Sequence, residues 1–237
     1  MLHANLSVLS QNPYPGRGIV IGKDRTGKYM IQIYWIMGRS ENSRNRVLSL
    51  GENGRVFTEA ADPTKVKDSS LIIYNAMLEN HGEYVVSNGH QTDAIARRDK
   101  SLSDTLATFR YEPDAPNFTP RISGACFSAQ YTGVNVWLSM LKKSPLDTSC
   151  IRLEYLRENL LQGVGYCLTT YSGDGNPLPS FDGEPHVLAL DGGIDSVADS
   201  YWEALNSENR IGLAVKFIDL VTGISETVIR NKYQKVV

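Results

Sequence analysis

The sequence predicts an α+β fold in which two largely antiparallel sheets are stacked and covered by helices, a four-layer αββα sandwich. Two strand-rich blocks carry the prediction, and each is associated with a helical pattern. Turn signals between successive strands favour hairpins over the long crossovers that a parallel sheet needs. No linker long or polar enough to divide the chain is visible, so residues 1–237 are expected to form one domain.

The first block contains three predicted hairpins. Residues 19–21 and 29–37 form the first pair of strands, joined by a turn around Gly27. Residues 47–50 and 55–58 flank Asn53-Gly54, a dipeptide that accepts the positive φ angles of a tight turn. Residues 71–76 and 84–87 flank the third turn, at residues 80–82.

Helical and strand patterns then alternate in the second half. Apolar spacing predicts one or two short helices over residues 92–109, broken near Lys100 and Ser101. Strands are predicted at residues 122–130, 134–141, 151–156, 166–171, 211–220 and 225–230. An apolar stripe from Ile194 to Leu205 predicts a helix that covers a sheet.

Composition excludes several classes of function. The 24 Lys and Arg against 26 Asp and Glu leave a formal net charge of −2, which does not favour binding to a nucleic-acid polymer. Three cysteines without a CxxC pair suggest neither a disulfide framework nor a zinc site. The longest apolar stretch is too short for a bilayer span, and the N-terminus lacks a signal-peptide pattern, so we expect a cytoplasmic protein.

Five polar segments lie beside strongly β-prone strands, where loops can hold functional groups on a rigid frame. They run over residues 14–18, 38–46, 88–93, 111–122 and 171–175. The second segment holds Arg39, Arg44 and Arg46, whose guanidinium groups can bind a phosphate or a developing oxyanion.

Taken singly, each segment also has an ordinary structural interpretation. The arginines are also typical of a solvated loop, and Glu112 and Asp114 of a Pro-Asp turn. Tyr74 is typical of strand packing. Asn88 closes a strand before a capped helix, and Cys126 is typical of a small core residue.

In order and spacing, however, the segments resemble those of the archaeal-type IMP cyclohydrolase family. The shared elements read PGRG, GRS followed by NR, YNA, NGHQTD, YEPD and TPRI. The resemblance is close over residues 14–122 and looser beyond. It implies an Ntn-hydrolase-like αββα fold and a homo-oligomer. It also implies conversion of 5-formamidoimidazole-4-carboxamide ribonucleotide to inosine monophosphate (IMP) and water, with no cofactor or metal.

The resemblance also implies the site residues. Arg39, Arg46, Tyr74 and Glu112 match the family's catalytic positions: an arginine polarises the formyl oxygen, the tyrosine hydrogen-bonds or relays a proton, and Glu112 transfers a proton. A further set is expected to position the purine ribonucleotide, with Arg121 or a loop arginine on its 5'-phosphate: Asn45, Asn75, Asn88, Thr119 and Arg121.

The sequence departs from the family pattern at one place that bears on function, an insertion over residues 41–44 between GRS and NR. Two alternatives therefore stay open. One is an Ntn-fold amidohydrolase that acts on a small amide. Because the chain does not start with Ser, Thr or Cys, this enzyme would need internal processing to expose a nucleophile such as Cys126. The other is a purine-nucleotide-binding protein without cyclase activity.

Overall fold

A computed structural model describes residues 5–66, 72–127 and 135–235 of the chain. Its strands form two antiparallel sheets, A and B. Sheet A has the order β11-β10-β1-β2-β12-β13: β1 (Gly18–Lys23), β2 (Tyr29–Met37), β10 (Val164–Thr169), β11 (His186–Ala189), β12 (Arg210–Asp219) and β13 (Ser225–Asn231).

Sheet B follows chain order from β3 to β9, as expected for a series of hairpins. Its strands are β3 (Val47–Leu50), β4 (Val56–Glu59), β5 (Asn75–Asn80), β6 (Glu83–Ser87), β7 (Arg121–Phe127), β8 (Val136–Lys143) and β9 (Cys150–Arg157). The helices are α1 (Ser7–Ser10), α2 (Glu41–Arg44), α3 (Gln91–Ala96), α4 (Leu102–Leu106) and α5 (Ile194–Ala204).

The sheets pack face to face, and helices cover both outer faces. Along β2, Tyr34 and Ile36 belong to the core between the sheets, whereas Ile33 and Trp35 belong to the core beneath α5. Because both faces of β2 are buried, the strand reads as a continuous apolar run. Helices α3 and α4 cover the outer face of sheet B. The predicted four-layer αββα sandwich is therefore confirmed.

Two predicted hairpins are present, and their turn residues have the backbone angles that the sequence favours. Asn53 and Gly54 have φ angles of 52° and 66°, which a tight turn between β3 and β4 requires. His81 and Gly82 likewise have positive φ angles of 48° and 79° between β5 and β6. Helix α5 and the break before α4, where Ser101 caps the helix, are also confirmed.

Two observed strands differ from the sequence-based expectations. The strand predicted at 71–76 is found at Asn75–Asn80, because the two-residue turn fixes its end next to His81. Strand β11 was not expected, since four residues after a Gly- and Pro-rich segment show no alternation. Residues 71, 128–130 and 134 of the predicted strands lie outside the described residues.

A buried ion pair bridges the two sheets. The Lys216 side chain on β12 is fully buried, and its Nζ donates to Glu79 Oε1 on β5 and to the Gly54 carbonyl, each at 2.7 Å. Burial lowers the pKa of Lys216, an effect that the nearby Glu79 opposes. None of the helices in the described part of the chain is long and apolar enough to cross a membrane.

We expect Glu79→Ala to lower the free energy of unfolding by about 2–4 kcal/mol, because it leaves the Lys216 charge buried without its counterion. Urea unfolding followed by circular dichroism measures the loss. Asp195→Ala, which removes an exposed partner of Arg230, is the matched control and should cost under about 1 kcal/mol. Equal losses in the two variants would contradict a structural role for the buried pair.

Candidate active site

The polar segments converge at one end of the sandwich. Strand pairing brings Gly18, at the start of β1, opposite Trp35 near the end of β2 and opposite Thr169 at the end of β10. At this end lies a cavity of about 310 Å³. Its polar lining includes Arg17, Arg39, Ser40, Asn42, Ser43, Arg46, Glu112, Asp114, Asn117, Thr119 and Tyr171. The volume is at the lower end of the range of small-molecule pockets.

Two arginines and one glutamate form the buried part of the cavity lining. Arg46 is only 1% exposed, although its segment is also typical of a solvated loop. The Arg17 and Glu112 side chains are 12% and 2% exposed, and Arg17 Nη2 lies 3.5 Å from Glu112 Oε2. Two buried cations thus face a single carboxylate, and an uncompensated buried charge is costly unless a ligand pairs with it.

Each of these side chains has a buried polar atom without a hydrogen-bond partner. Among the described residues, Arg17 Nε, Arg46 Nη1 and Glu112 Oε2 accept or donate no hydrogen bond. Buried polar groups in folded proteins are nearly always paired. Two unused donors and one unused acceptor in one cavity lining therefore indicate a polar ligand.

The electrostatic environment shifts the protonation equilibria of this cluster. Burial raises the pKa of Glu112, and the positive charges of Arg17 and Arg121 oppose that shift. Burial, reinforced by repulsion from Arg17, lowers the pKa of Arg46. The glutamate can therefore exchange a proton closer to neutral pH than an exposed glutamate does.

The inserted residues 41–44 fold as the short helix α2 and contribute to the cavity. Ser40 Oγ caps the turn by accepting a hydrogen bond from Ser43 N at 3.2 Å. The Ser43 carbonyl in turn accepts from Arg46 Nε at 2.9 Å. The insertion thus fixes Arg46 and places Asn42 and Ser43 in the cavity lining.

Arg39 lies at the partly exposed side of the same cavity. Its side chain is 38% exposed, forms an ion pair with Asp174 and donates to the Gly175 carbonyl at 3.2 Å. The guanidinium also stacks over the Tyr14 ring at 4.9 Å. In this structure the Arg39 guanidinium is therefore paired with an acidic side chain, whereas Arg46 Nη1 has no hydrogen-bond partner.

Tyr74 lies next to the cluster without lining the cavity. Its hydroxyl is 2.5 Å from that of Tyr34, on β2, and both are buried. Its phenol is close enough to interact electrostatically with Arg17 and Arg46. Burial and the neighbouring Tyr74 raise the pKa of Tyr34.

The loop over residues 112–119 is organised around Asp114. Its carboxylate accepts hydrogen bonds from the Thr119 backbone N at 2.6 Å and from the Thr119 hydroxyl. The Thr119 Oγ1 also lies 2.5 Å from the Tyr171 hydroxyl, while Glu112 N donates to the Thr119 carbonyl at 2.8 Å. Asp114 thus acts as the turn residue that the Pro-Asp pattern predicts, and the turn aims Glu112 inward.

One family model matches most of the chain. The family model of IMP cyclohydrolase-like proteins matches residues 14–223 of the chain. The chain belongs to the IMP cyclohydrolase-like family. The match includes all the cavity-lining arginines and extends through Tyr171, beyond the region of close motif resemblance. A search of curated proteins finds no match.

In this IMP cyclohydrolase-like chain, the expected site residues fall into two groups. Arg39, Arg46, Glu112 and Thr119 line one cavity. Arg121 does not line it and approaches Glu112 Oε1 from outside at 4.0 Å. Its Nη1 and Nε donate to Gln91 Oε1 and to the Arg110 carbonyl.

The three asparagines expected to position substrate bind protein groups instead. Asn45 makes two hydrogen bonds to the Asp62 backbone, and Asn75 donates to the Asp93 carboxylate. The fully buried Asn88 donates to the Pro120 carbonyl and accepts from the Ile122 backbone N and from Gln91. None of the three lines the cavity, so they connect the loops that shape the site.

Arg17 and Tyr171 are two of the cavity residues to which the sequence analysis assigned no role. Both lie in segments with a recognisable signal, the PGRG element and the loop after β10, but neither has a charged neighbour in sequence. Packing of β1 against β7 across the two sheets brings Arg17 next to Glu112, and Tyr171, just after β10, lies beside Thr119. Burial raises the pKa of Tyr171 to about 12, so it remains a neutral hydroxyl.

Cys126 is a core residue, as its sequence context indicates. It lies fully buried on β7 between the sheets, and burial raises its pKa far above the usual value. A thiol in this environment is a poor nucleophile. Among the described residues, no group of three or more His, Cys, Asp and Glu side chains could hold a metal ion.

We expect Arg46→Met to raise the stability of the ligand-free protein by about 1 kcal/mol, since methionine removes a buried cation that is repelled by Arg17. The loss of the hydrogen bond to Ser43 reduces the gain. Thermal unfolding should show a midpoint higher by about 2–4 °C. Arg39→Met, at the exposed arginine, should change stability by less than about 0.5 kcal/mol. A clear loss of stability in Arg46→Met would contradict this account of the cluster.

Proposed function

We propose that this protein is an IMP cyclohydrolase, which closes the second purine ring by converting 5-formamidoimidazole-4-carboxamide ribonucleotide to IMP and water. The proposal is supported by membership of the IMP cyclohydrolase-like family. It is carried by the buried cluster of Arg17, Arg46 and Glu112, which lines one cavity and in which each side chain has a polar atom without a hydrogen bond.

The reaction makes specific demands on such a site. The carboxamide nitrogen attacks the formyl carbon, a C–N bond forms, and the carbonyl oxygen becomes the hydroxyl of a carbinolamine. This hydroxyl then leaves as water with a second proton, which comes from the formamide nitrogen. Because an amide nitrogen is a weak nucleophile, the site must orient it, stabilise the oxyanion and move protons. No electron is transferred, so the chemistry requires no redox cofactor.

Arg46 is the better placed of the two candidate arginines to stabilise the formyl oxygen. Its Nη1 is buried and unpaired, whereas the Arg39 guanidinium is paired with Asp174. A donor in a desolvated site stabilises developing charge more than an exposed donor does. We therefore assign Arg46 to the oxyanion and Arg39, at the exposed side, to the 5'-phosphate in place of Arg121.

Glu112 is proposed to move the protons. Its Oε2 accepts no hydrogen bond, and its pKa is raised by burial, so the carboxylate can accept a proton from nitrogen and return it to the leaving oxygen. Tyr74, hydrogen-bonded to Tyr34, would relay a proton or hold the arginines from behind. Arg121 would support Glu112, and Thr119 would contact the substrate beside Tyr171.

The proposed function also includes how the chain is organised, where it acts and what it binds. We infer a single domain that forms homo-oligomers and acts in the cytoplasm, with a purine ribonucleotide as its small-molecule partner. The free cysteines Cys126, Cys150 and Cys167 are consistent with a reducing compartment.

Purified protein supplied with the formamido ribonucleotide should form IMP, measured by its ultraviolet absorbance. Glu112→Gln should lower kcat by roughly 10²–10⁴-fold, the usual range for loss of an acid-base group. Arg46→Ala should lower kcat by about 10²–10³-fold, as for loss of an oxyanion donor.

Calorimetric titration with IMP separates binding from catalysis. Arg25→Ala, at an exposed arginine paired with Asp191, should retain wild-type activity and is the control. Wild-type protein that binds IMP without forming it would support the nucleotide-binding alternative and overturn the proposal. Turnover of simple amides, with a processed chain visible in the intact mass, would instead support an amidohydrolase.

The pH dependence of kcat/KM should reflect the ionisation of the Glu112 carboxyl group. If the carboxylate is the active form, activity falls as pH decreases through the pKa of Glu112. Because burial raises this pKa, the decline should begin at a higher pH than the ordinary glutamate value of about 4.3 implies. The acidic limb should be absent from the residual activity of Glu112→Gln. A limb at or below the ordinary value in wild type would contradict the assignment.

A further inference from the structure

Arg17 lies between two glycines whose backbone is in close contact with other residues. Gly16 has a φ of 73°, and a Cβ there would lie 2.2 Å from Thr170 Oγ1. A Cβ on Gly18 would lie 1.9 Å from the Trp35 ring. The chain on both sides of Arg17 is thus in close contact with its surroundings, and glycine is required at each flank.

Hydrogen bonds to the adjacent strand fix the same residue. Arg17 N donates to Thr170 Oγ1 at 3.1 Å, and its carbonyl accepts from Thr170 N at 2.9 Å. A side chain that starts from so constrained a backbone is held in a defined position against the cavity. This differs from the placement of Arg39, whose partners are on an exposed loop.

The Arg17 guanidinium has one neighbour of opposite charge and one unused donor. Nη2 lies 3.5 Å from Glu112 Oε2, close enough for charge attraction but too long for a good hydrogen bond. Its Nε is buried and donates to no described group. Burial lowers the pKa of Arg17, but the negative charge of Glu112 raises it, and the result lies well above the usual value, so Arg17 stays protonated.

We propose that Arg17 is a further functional residue of the site, which holds Glu112 in its carboxylate form and donates from Nε to an anionic or carbonyl oxygen of the bound ribonucleotide. The inference rests on the proposed function for the identity of the ligand. The coupling to Glu112 does not depend on it, because it is a property of the ligand-free protein.

Three variants separate the two parts of the proposal. Arg17→Lys retains the positive charge but lacks the planar Nε donor. Arg17→Met removes both charge and donor at similar length. Arg39→Met removes an arginine of the same cavity that does not face Glu112. Circular dichroism and thermal unfolding establish that each variant is folded.

Ionisation of Glu112 is measured in the ligand-free protein by carbon-13 NMR of glutamate-labelled samples, with the resonance assigned from Glu112→Gln. Arg17→Met should raise the pKa of Glu112, because the carboxylate loses its adjacent cation. Arg17→Lys and Arg39→Met should titrate close to wild type. An unchanged Glu112 titration in Arg17→Met would overturn the coupling.

Donation from Nε is measured by calorimetric titration with IMP. Arg17→Lys and Arg17→Met should both weaken binding by roughly 10–100-fold, the usual effect of losing a charge-assisted hydrogen bond. Wild-type affinity in Arg17→Lys would overturn the donor role. If wild-type protein itself fails to bind IMP, the proposed function and the donor role both fail, whereas the NMR titration still decides the coupling to Glu112.

Discussion

The site depends on burying more positive than negative charge at one end of the sandwich. Arg17 and Arg46 share a single carboxylate, Glu112, and one polar atom of each side chain is left without a partner. Such an arrangement lowers the stability of the ligand-free protein and is retained only where a ligand completes it. The unpaired donors select for an anionic or strongly polarised oxygen, and the low dielectric of the cavity strengthens that selection.

The two sheets make this burial possible. The core between them includes Tyr34 and Tyr74, whose buried hydroxyls lie 2.5 Å apart next to the charged cluster. The charged side chains enter from segments that precede β1, β3 and β7. These segments are fixed by hydrogen bonds to neighbouring strands and by the turn around Asp114. The two sheets and these hydrogen bonds therefore hold the charged cluster in place, and the cluster forms without a closing movement of the loops.

The fold could be predicted from the sequence because the local sequence patterns favour the same elements that the whole fold contains. The turn at Asn53-Gly54, the apolar run of β2 and the stripe of α5 each predict their own element. Sequence reasoning found Arg46 and Glu112 through the family motifs alone, since spacing could not distinguish them from a solvated loop and a turn. It assigned no role to Arg17, because its charged partner Glu112 is 95 residues away in sequence and becomes adjacent only when the two sheets pack, β1 against β7.

Three asparagines show that a residue in a family motif need not line the cavity. Asn45, Asn75 and Asn88 stand in the motifs, yet their amides are used to join loops. A motif combines residues that touch the ligand with residues that hold them, and sequence does not separate the two. The inserted helix α2 shows why the distinction matters, because its Ser43 carbonyl accepts from Arg46 Nε. A change in the length of this turn would move the buried guanidinium itself, and with it the group that we propose as the oxyanion donor.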